Sequence, residues 1–267
     1  MEANHLENPA GRLWAALQHV RSFQRSNDQK PITLRVAFCE YFDISAEDDA
    51  SYYANISSLM RLPVEIRGEV AQLDDPYIPA DQLIRPLPTV ERFLATYAQG
   101  RHPVHKVTSE ITDGVMNDIE ACSHILSRMR ESVALSTATL EEIRSATGDL
   151  IAAILADASL PPRLKQTLLR LAYQVLHTVD EYKVVGGDAV LDAWDTMAGM
   201  VARNAPNVAG HKKVWAAIKH LAAIVSTVVV VATAPEQIGE GIEYIGELFA
   251  IEGVTEAPGE PQATGVA

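Results

Sequence analysis

Cysteine is scarce in this chain: Cys39 and Cys122 are the only two in 267 residues, far apart and each among apolar neighbours. A disulfide framework is thereby excluded as the source of stability, and a reducing compartment suits the chain better. Both thiols read as small buried hydrophobes. No segment combines strand alternation with hairpin turn chemistry, which excludes a sheet protein. There is no GxSxG elbow, no glycine loop to cradle phosphate and no HExxH pair, so the usual hydrolase, nucleotide and zincin signatures are missing. The opening MEANHLENPAGRLW has no basic start followed by an apolar core, so no secretory signal is expected and residence is expected to be cytoplasmic.

Positive charge is also in short supply. Twenty-two Lys and Arg face 35 Asp and Glu, a net charge of −13. Such a charge repels phosphate backbones, and nucleic acid is not an expected partner. The imbalance is uneven: Arg203, Lys212, Lys213 and Lys219 make 196–235 purely basic, whereas 235–267 hold seven glutamates and no base.

What the chain does have is helical periodicity, with apolar residues three and four apart and helix signals at the ends. The expected fold class is all-α, and the length suffices to bury a core. Asn8 as cap with Pro9 in the first turn opens a helix burying Leu13, Leu17 and Val20. Further helices are expected from Leu34 to Phe42, after Ser45, after Pro63, and from Thr89 to Ala98. Prolines 76, 79, 86, 88 and 103 crowd the region between, which suggests a boundary. Beyond it four longer stripes follow. Ile111 to Met129 is the first, and Leu140 to Ile154 the second, after a start at Ser136 or Thr139. Leu164 to Val179 comes after Pro161 and Pro162 and is expected to stop at Gly186 and Gly187. Val190 to Val201 is the fourth. The expected organisation is an N-terminal helical domain at 1–104, an antiparallel bundle at 105–205, a C-terminal helical pair at 206–252 and a disordered acidic tail at 253–267.

The C-terminal pair departs most from an ordinary soluble pattern. Leu221 to Ala234 is fourteen residues without a charge, and from Val214 the run reaches 21 residues, interrupted mainly by Lys219 and His220. That length is borderline for a bilayer, which needs about 20. The basic flank before it and the acidic flank after it are the asymmetry an inserted segment uses for orientation. After Pro235, Ile238, Ile242, Ile245 and Phe249 fall on one helical face, with Glu240, Glu243 and Glu247 elsewhere. Two settings are therefore open for 214–234: a buried core helix covered by 236–250, or a segment engaging a membrane or a partner. The residues expected to make that contact are Val214, Trp215, Leu221, Ile224, Val228, Val229, Val230 and Val231.

The pieces NPAGRL at 8–13, RLPVEIRGEV at 61–70, LPTVERFL at 87–94, LLRLAYQVLHTVDEYKVVGGDAVLDA at 168–193 and VWAAIKHLAAIVS at 214–226 are distinctive. Together they resemble a diffuse group of uncharacterised bacterial all-helical proteins that close with a Trp-containing apolar segment. These are packing and capping motifs. The resemblance implies an all-helical fold and a bacterial origin, and it attaches no reaction or cofactor.

Three clusters carry candidate chemistry. His102 and His105 could share a metal, but a site needs a third ligand and Arg101 and Lys106 flank the pair, so no metal is expected. Arg170 and His177 stand seven apart, the arginine-to-histidine spacing of the HEPN endonucleases. In that group the histidine is a general acid or base and the arginine steadies phosphate, with no metal needed. Arg12 and His19 repeat the spacing in this same chain, so the spacing alone is a weak mark. Asp188, Asp192 and Asp195 share a helical face that capping and solvation explain. No cofactor is expected. The expected function is a non-enzymatic helical interaction protein, with a protein partner or a second copy and with membrane contact through 214–234 as one version, as in an effector or regulator of a stress, toxin or phage-defence system at the inner membrane. The alternatives are a soluble scaffold or adaptor and a HEPN-like ribonuclease using Arg170 and His177.

Overall fold

A computed structural model describes residues 6–23, 31–73, 79–129 and 134–232. The fold is all-α, as the periodicity predicts, and no strand occurs among the described residues. The elements are α1 (Pro9–Ser22), α2 (Leu34–Phe42), α3 (Asp49–Val70), α4 (Ala80–Ile84), α5 (Leu87–Tyr97), α6 (Val104–Val107), α7 (Asp113–Met129), α8 (Thr137–Ala156), α9 (Pro162–Asp180), α10 (Tyr182–Arg203), α11 (Ala205–Ala209) and α12 (Lys212–Ala232). The expected C-terminal helix at 236–250 and the tail at 253–267 lie outside the described residues.

Capping explains many of the starts. Asn8 accepts from the Gly11 amide at 2.9 Å, and its side-chain amide also donates to Ser123 O and Ser127 Oγ, so one cap joins α1 to α7. Ser136 opens α8 by accepting from the Thr139 amide. Two expected starts are corrected. Ser45 does not open a helix: α3 begins at Asp49, capped by Asp48 accepting from the Ser51 amide at 3.0 Å, and Pro63 sits inside that same helix. A proline there forfeits one backbone bond, but the buried series Tyr52, Ile56, Leu59, Leu62, Ile66 and Val70 runs straight through it. Each fully buried side chain of that kind contributes about 1.5–3 kcal/mol, which outweighs one bond.

The apolar side chains form two clusters, divided between α7 and α8 rather than at residue 104. Ile111, Met116, Ile119, Cys122 and Leu126 belong with α1 to α6, because α7 lies along α1. The second cluster takes α8, α9, α10 and α12 together. In it α8 lies between α12 and α9, and α9 between α8 and α10. Helix α12, expected to pair with 236–250, packs in this bundle from Val214 to Val225. The stripe of α7 is legible from sequence, whereas the helix it packs against is not.

Both cysteines are buried. Burial pushes the Cys122 thiol up to about 12 and raises Cys39. Neither thiol should therefore react with a soluble disulfide reagent at pH 8 in the native state, and both should react in denaturant; rapid native labelling of Cys122 would contradict its burial.

The end of α8 is tied to the start of α12. Asp157 Oδ2 lies 2.9 Å from His211 Nδ1, while Asp157 Oδ1 accepts from the Ser159 hydroxyl and amide and from the Leu160 amide. The Ser159 hydroxyl leads in lowering the Asp157 carboxyl from 3.8 to about 2, and His211 adds to it. A depressed carboxyl contributes stability that is present above its unfolded value and lost as pH falls through the folded one. Asp157→Asn should accordingly lower Tm near neutrality, with the difference from wild type closing between about pH 4 and pH 2. A difference that stays constant over that window, followed by thermal melts, would remove this role.

Candidate functional site

Between the two clusters runs the short segment from Glu181 to Asp188, and its side chains divide between the two sides. Val184 buries in the first cluster and Tyr182 in the second, where the Tyr182 hydroxyl accepts from the Leu135 amide at 2.9 Å. Lys183 Nζ donates to Tyr41 O at 2.7 Å and stands over the Tyr41 ring. Ser58 Oγ on α3 donates to Glu181 Oε2 at 3.1 Å. The segment acts as a plug with one side chain for each neighbour. The expected stop at Gly186 and Gly187 is corrected accordingly: α9 already ends at Asp180, and Gly186 instead kinks α10 at φ 80°, ψ 179°.

The kink has a lid. Arg12 on α1 is buried, and its guanidinium lies directly over Gly186, so that a Cβ there would fall 2.9 Å from Arg12 Cζ and closer still to Nη1. Nη2 donates to Glu65 Oε2 at 3.3 Å. Burial pulls the Arg12 pKa below its ordinary value, while the charges of Glu65, Glu69 and Asp188 push it back up. Three carboxylates from α3 and α10 therefore act on one guanidinium from α1, and Asp188, read from sequence as a capping or solvated acid, belongs to that set. His19 follows two turns on, packing against Phe23 and Tyr41, and burial lowers its pKa first of all.

A cleft of about 410 Å³ opens beside the plug, lined by Asp43, Ser51 and Asn55 on one side and by Arg144, His177 and Asp180 on the other. Its arginine and its histidine are both engaged by carboxylates. Arg144 donates to Asp180 Oδ1 from Nε at 3.1 Å and also binds Glu141; His177 Nε2 lies 3.4 Å from Glu181 Oε1. An arginine held by two carboxylates has little left to offer a phosphate oxygen.

The sequence-predicted residues are distributed as follows. His177 lines the cleft, while Arg170 is exposed on the same helix, about 10.5 Å away along the axis, and does not line it. His102 stacks edge-on against Tyr97 and its carbonyl accepts from the Leu34 amide, and His105 is exposed on α6. No group of three His, Cys, Asp or Glu suited to a metal occurs among the described residues. Val214, Trp215 and Leu221 are buried in the second cluster and Ile224 packs half-buried against it. Val228, Val229, Val230 and Val231 continue α12, and their side chains lie outside the described residues. Among the described residues no helix is long and apolar enough to cross a membrane.

Among the described residues the large apolar side chains left exposed are Val36, Leu155 and Tyr173, each on a different helix, and three that share one helix, α3. Tyr53, Met60 and Val64 on α3 are 48%, 40% and 66% exposed, and with exposed Ser57 they form one stripe at positions i, i+4, i+7 and i+11. From Ala50 to Val64 the helix carries no acid, and Arg61 stands beside the stripe, in a chain of net charge −13.

Comparison with protein-family models, curated proteins and solved structures found no match. The side chains of this chain alone therefore carry the functional reading. Sequence reasoning missed Arg12, Glu181 and Lys183. A signal was present: Arg12 is the charged residue on the face of α1 that carries Leu13, Ala16 and Val20, and DEYKVVGGD packs four charged residues around two glycines.

Proposed function

We propose that this is a non-enzymatic helical interaction protein that binds a protein partner through the stripe of Tyr53, Met60 and Val64 on α3. The observation that carries this reading is the contrast between the two candidate surfaces. In the cleft Arg144 is held by Asp180 and Glu141 and His177 lies against Glu181, whereas on α3 aligned apolar side chains face solvent beside Arg61. Such a stripe supports helix-in-groove or helix-on-helix recognition, read at i, i+4, i+7 and i+11. Membrane engagement by 214–234 would require α12 to leave α8, uncovering Val214, Ile218, Leu221 and Val225; a protein partner needs no such opening.

The competing reading is HEPN-like RNA cleavage by His177, and the contact to buried Glu181, which orients the imidazole, is what favours it. The test is photo-crosslinking in cells from benzoylphenylalanine at position 60. The expected result is a discrete adduct with another protein, lost in Val64→Glu. No protein adduct, together with an RNA-cleaving activity abolished by His177→Ala or Arg170→Ala in folded protein, would replace this reading with the enzyme. Sedimentation with membranes through a high-salt wash, lost on deletion of 214–250, would replace it with the membrane version.

A further inference from the structure

We infer that the cleft beside the plug binds the head group of an aliphatic organic cation, an alkylammonium or an alkylguanidinium. This gives the cleft a ligand of its own, and it stands whether or not α3 binds a partner.

Charge in the cleft is unbalanced. Asp43, Asp180 and Glu181 line it against one guanidinium, that of Arg144, and Arg144 is already held by Asp180 and Glu141. Glu181 is 6% exposed, and it is reached by the Ser58 hydroxyl at 3.1 Å and by His177 Nε2 at 3.4 Å. Among the described residues no lysine or arginine pairs with Glu181 or with Asp43. A buried carboxylate is ordinarily paired with a cation, because desolvation opposes its charge.

Hydrogen-bonding capacity is unbalanced in the same sense. Asn55, 5% exposed, turns its amide nitrogen to Ser51 O at 2.9 Å, and its Oδ1 accepts from no described group. Buried amide oxygens are normally satisfied. The Ser51 hydroxyl donates to Asp48 and the Ser58 hydroxyl to Glu181. The donors around the cleft are thus largely committed, while Asn55 Oδ1 and the carboxylates of Asp43 and Glu181 keep lone pairs to offer. An ammonium, with three donors and no acceptor, or a guanidinium, with five and none, supplies what these groups lack.

The rest of the lining is mainly Phe42, Ile44, Ala50 and Ala54. An aliphatic stem can pack against that wall, whereas a hydrated inorganic ion would set its water against carbon. A cleft of about 410 Å³ is large enough for such a stem and head.

The test is isothermal titration calorimetry of the full-length chain with n-butylguanidinium, n-butylammonium and n-butanol, at about 150 mM salt to screen attraction to the acidic surface as a whole. The expected result is saturable binding of at least one cation at one site, with Kd below about 1 mM, and none of the alcohol. Asp43→Asn should weaken it about tenfold or more, because a charge-assisted contact becomes a neutral one. Asparagine suits the left-handed backbone at position 43, φ 61°, so this variant should fold. Ala54→Met, which fills the apolar wall, should abolish binding. Asp149→Asn, an exposed acid on α8 that does not line the cleft, should leave it unchanged. No saturable binding by either cation, equal heats from the alcohol, or equal losses in Asp43→Asn and Asp149→Asn would overturn the inference. So would displacement by magnesium chloride beyond that by sodium chloride at equal ionic strength, which would assign the cleft to an inorganic ion. The head group has two sources, a free amine or guanidine and a lysine or arginine of a partner. The cation that binds, added to lysate at saturation before irradiation, separates them: loss of the adduct from position 60 places a partner's side chain in the cleft, and an unchanged adduct leaves the cleft to a free cation. Calorimetric binding without any such adduct would keep the cleft site and remove only the α3 partner.

Discussion

Gly186→Ala is expected to destabilise the protein by about 3 kcal/mol, seen as a lower denaturant midpoint with an unchanged m-value. Two causes add. At φ 80°, ψ 179° the backbone is in a region that only glycine occupies without strain, and a side chain there costs about 1–3 kcal/mol. The new Cβ would also displace the Arg12 guanidinium from above the kink, and Arg12 is buried and bonded to Glu65. A change below about 1 kcal/mol would mean that the kink relaxes freely and that the segment from Glu181 to Asp188 is no fixed plug.

Arg12→Ala should cost about 2–3 kcal/mol. Removing one partner from a buried ion pair is worth about 3–5 kcal/mol, and the figure is lowered here because the Glu65 side chain is 40% exposed. The loss leaves Glu65, Glu69 and Asp188 facing one another with the central charge gone. The two substitutions should also be coupled. With Arg12 already replaced, Gly186→Ala has no guanidinium to displace, and its cost should fall to that backbone strain alone. Strict additivity in this double-mutant cycle would contradict the placement of Arg12 over Gly186.

The helices were largely legible because each carries its own evidence. Asn8, Ser136 and the pair Pro161–Pro162 mark starts by local chemistry, and the stripes of α7, α8 and α9 show which face turns inward. Pro63 misleads because a proline is equally at home in a first turn, and only the buried residues on both sides of it show that α3 continues. Gly186 misleads in a related way: two glycines signal a break, but not whether the chain stops or bends there. The partner of each stripe was hidden. Nothing local in α7 says that it lies on α1, and nothing in Val214 to Val225 distinguishes a bundle helix from one that engages a membrane, because both settings ask for the same apolar face. The candidate site was less legible still. Arg12 looked like a chance repeat of the spacing between Arg170 and His177, and its role depends on Glu65 and Asp188, distant in sequence and brought together only by the fold. The stripe on α3 is a pattern of what stays exposed, which no sequence period reveals until the buried face is known.

The proposal that this protein works by binding through α3, and not by chemistry in the cleft, is tested most directly by comparing two variants side by side in cells. One is Tyr53→Glu/Val64→Glu, the other Arg170→Ala/His177→Ala, each first shown to keep its helical circular dichroism spectrum and melting transition. All four positions are exposed, so both variants should fold. The readouts are the yield of the partner adduct from benzoylphenylalanine at position 60 and the rate of RNA cleavage by the purified protein. The account predicts that the α3 variant loses the adduct, that the Arg170→Ala/His177→Ala variant retains it at the wild-type yield, and that neither variant changes RNA cleavage from background. A wild-type adduct yield in the α3 variant, or an RNA-cleaving activity present in wild type and lost in the Arg170→Ala/His177→Ala protein, would contradict it.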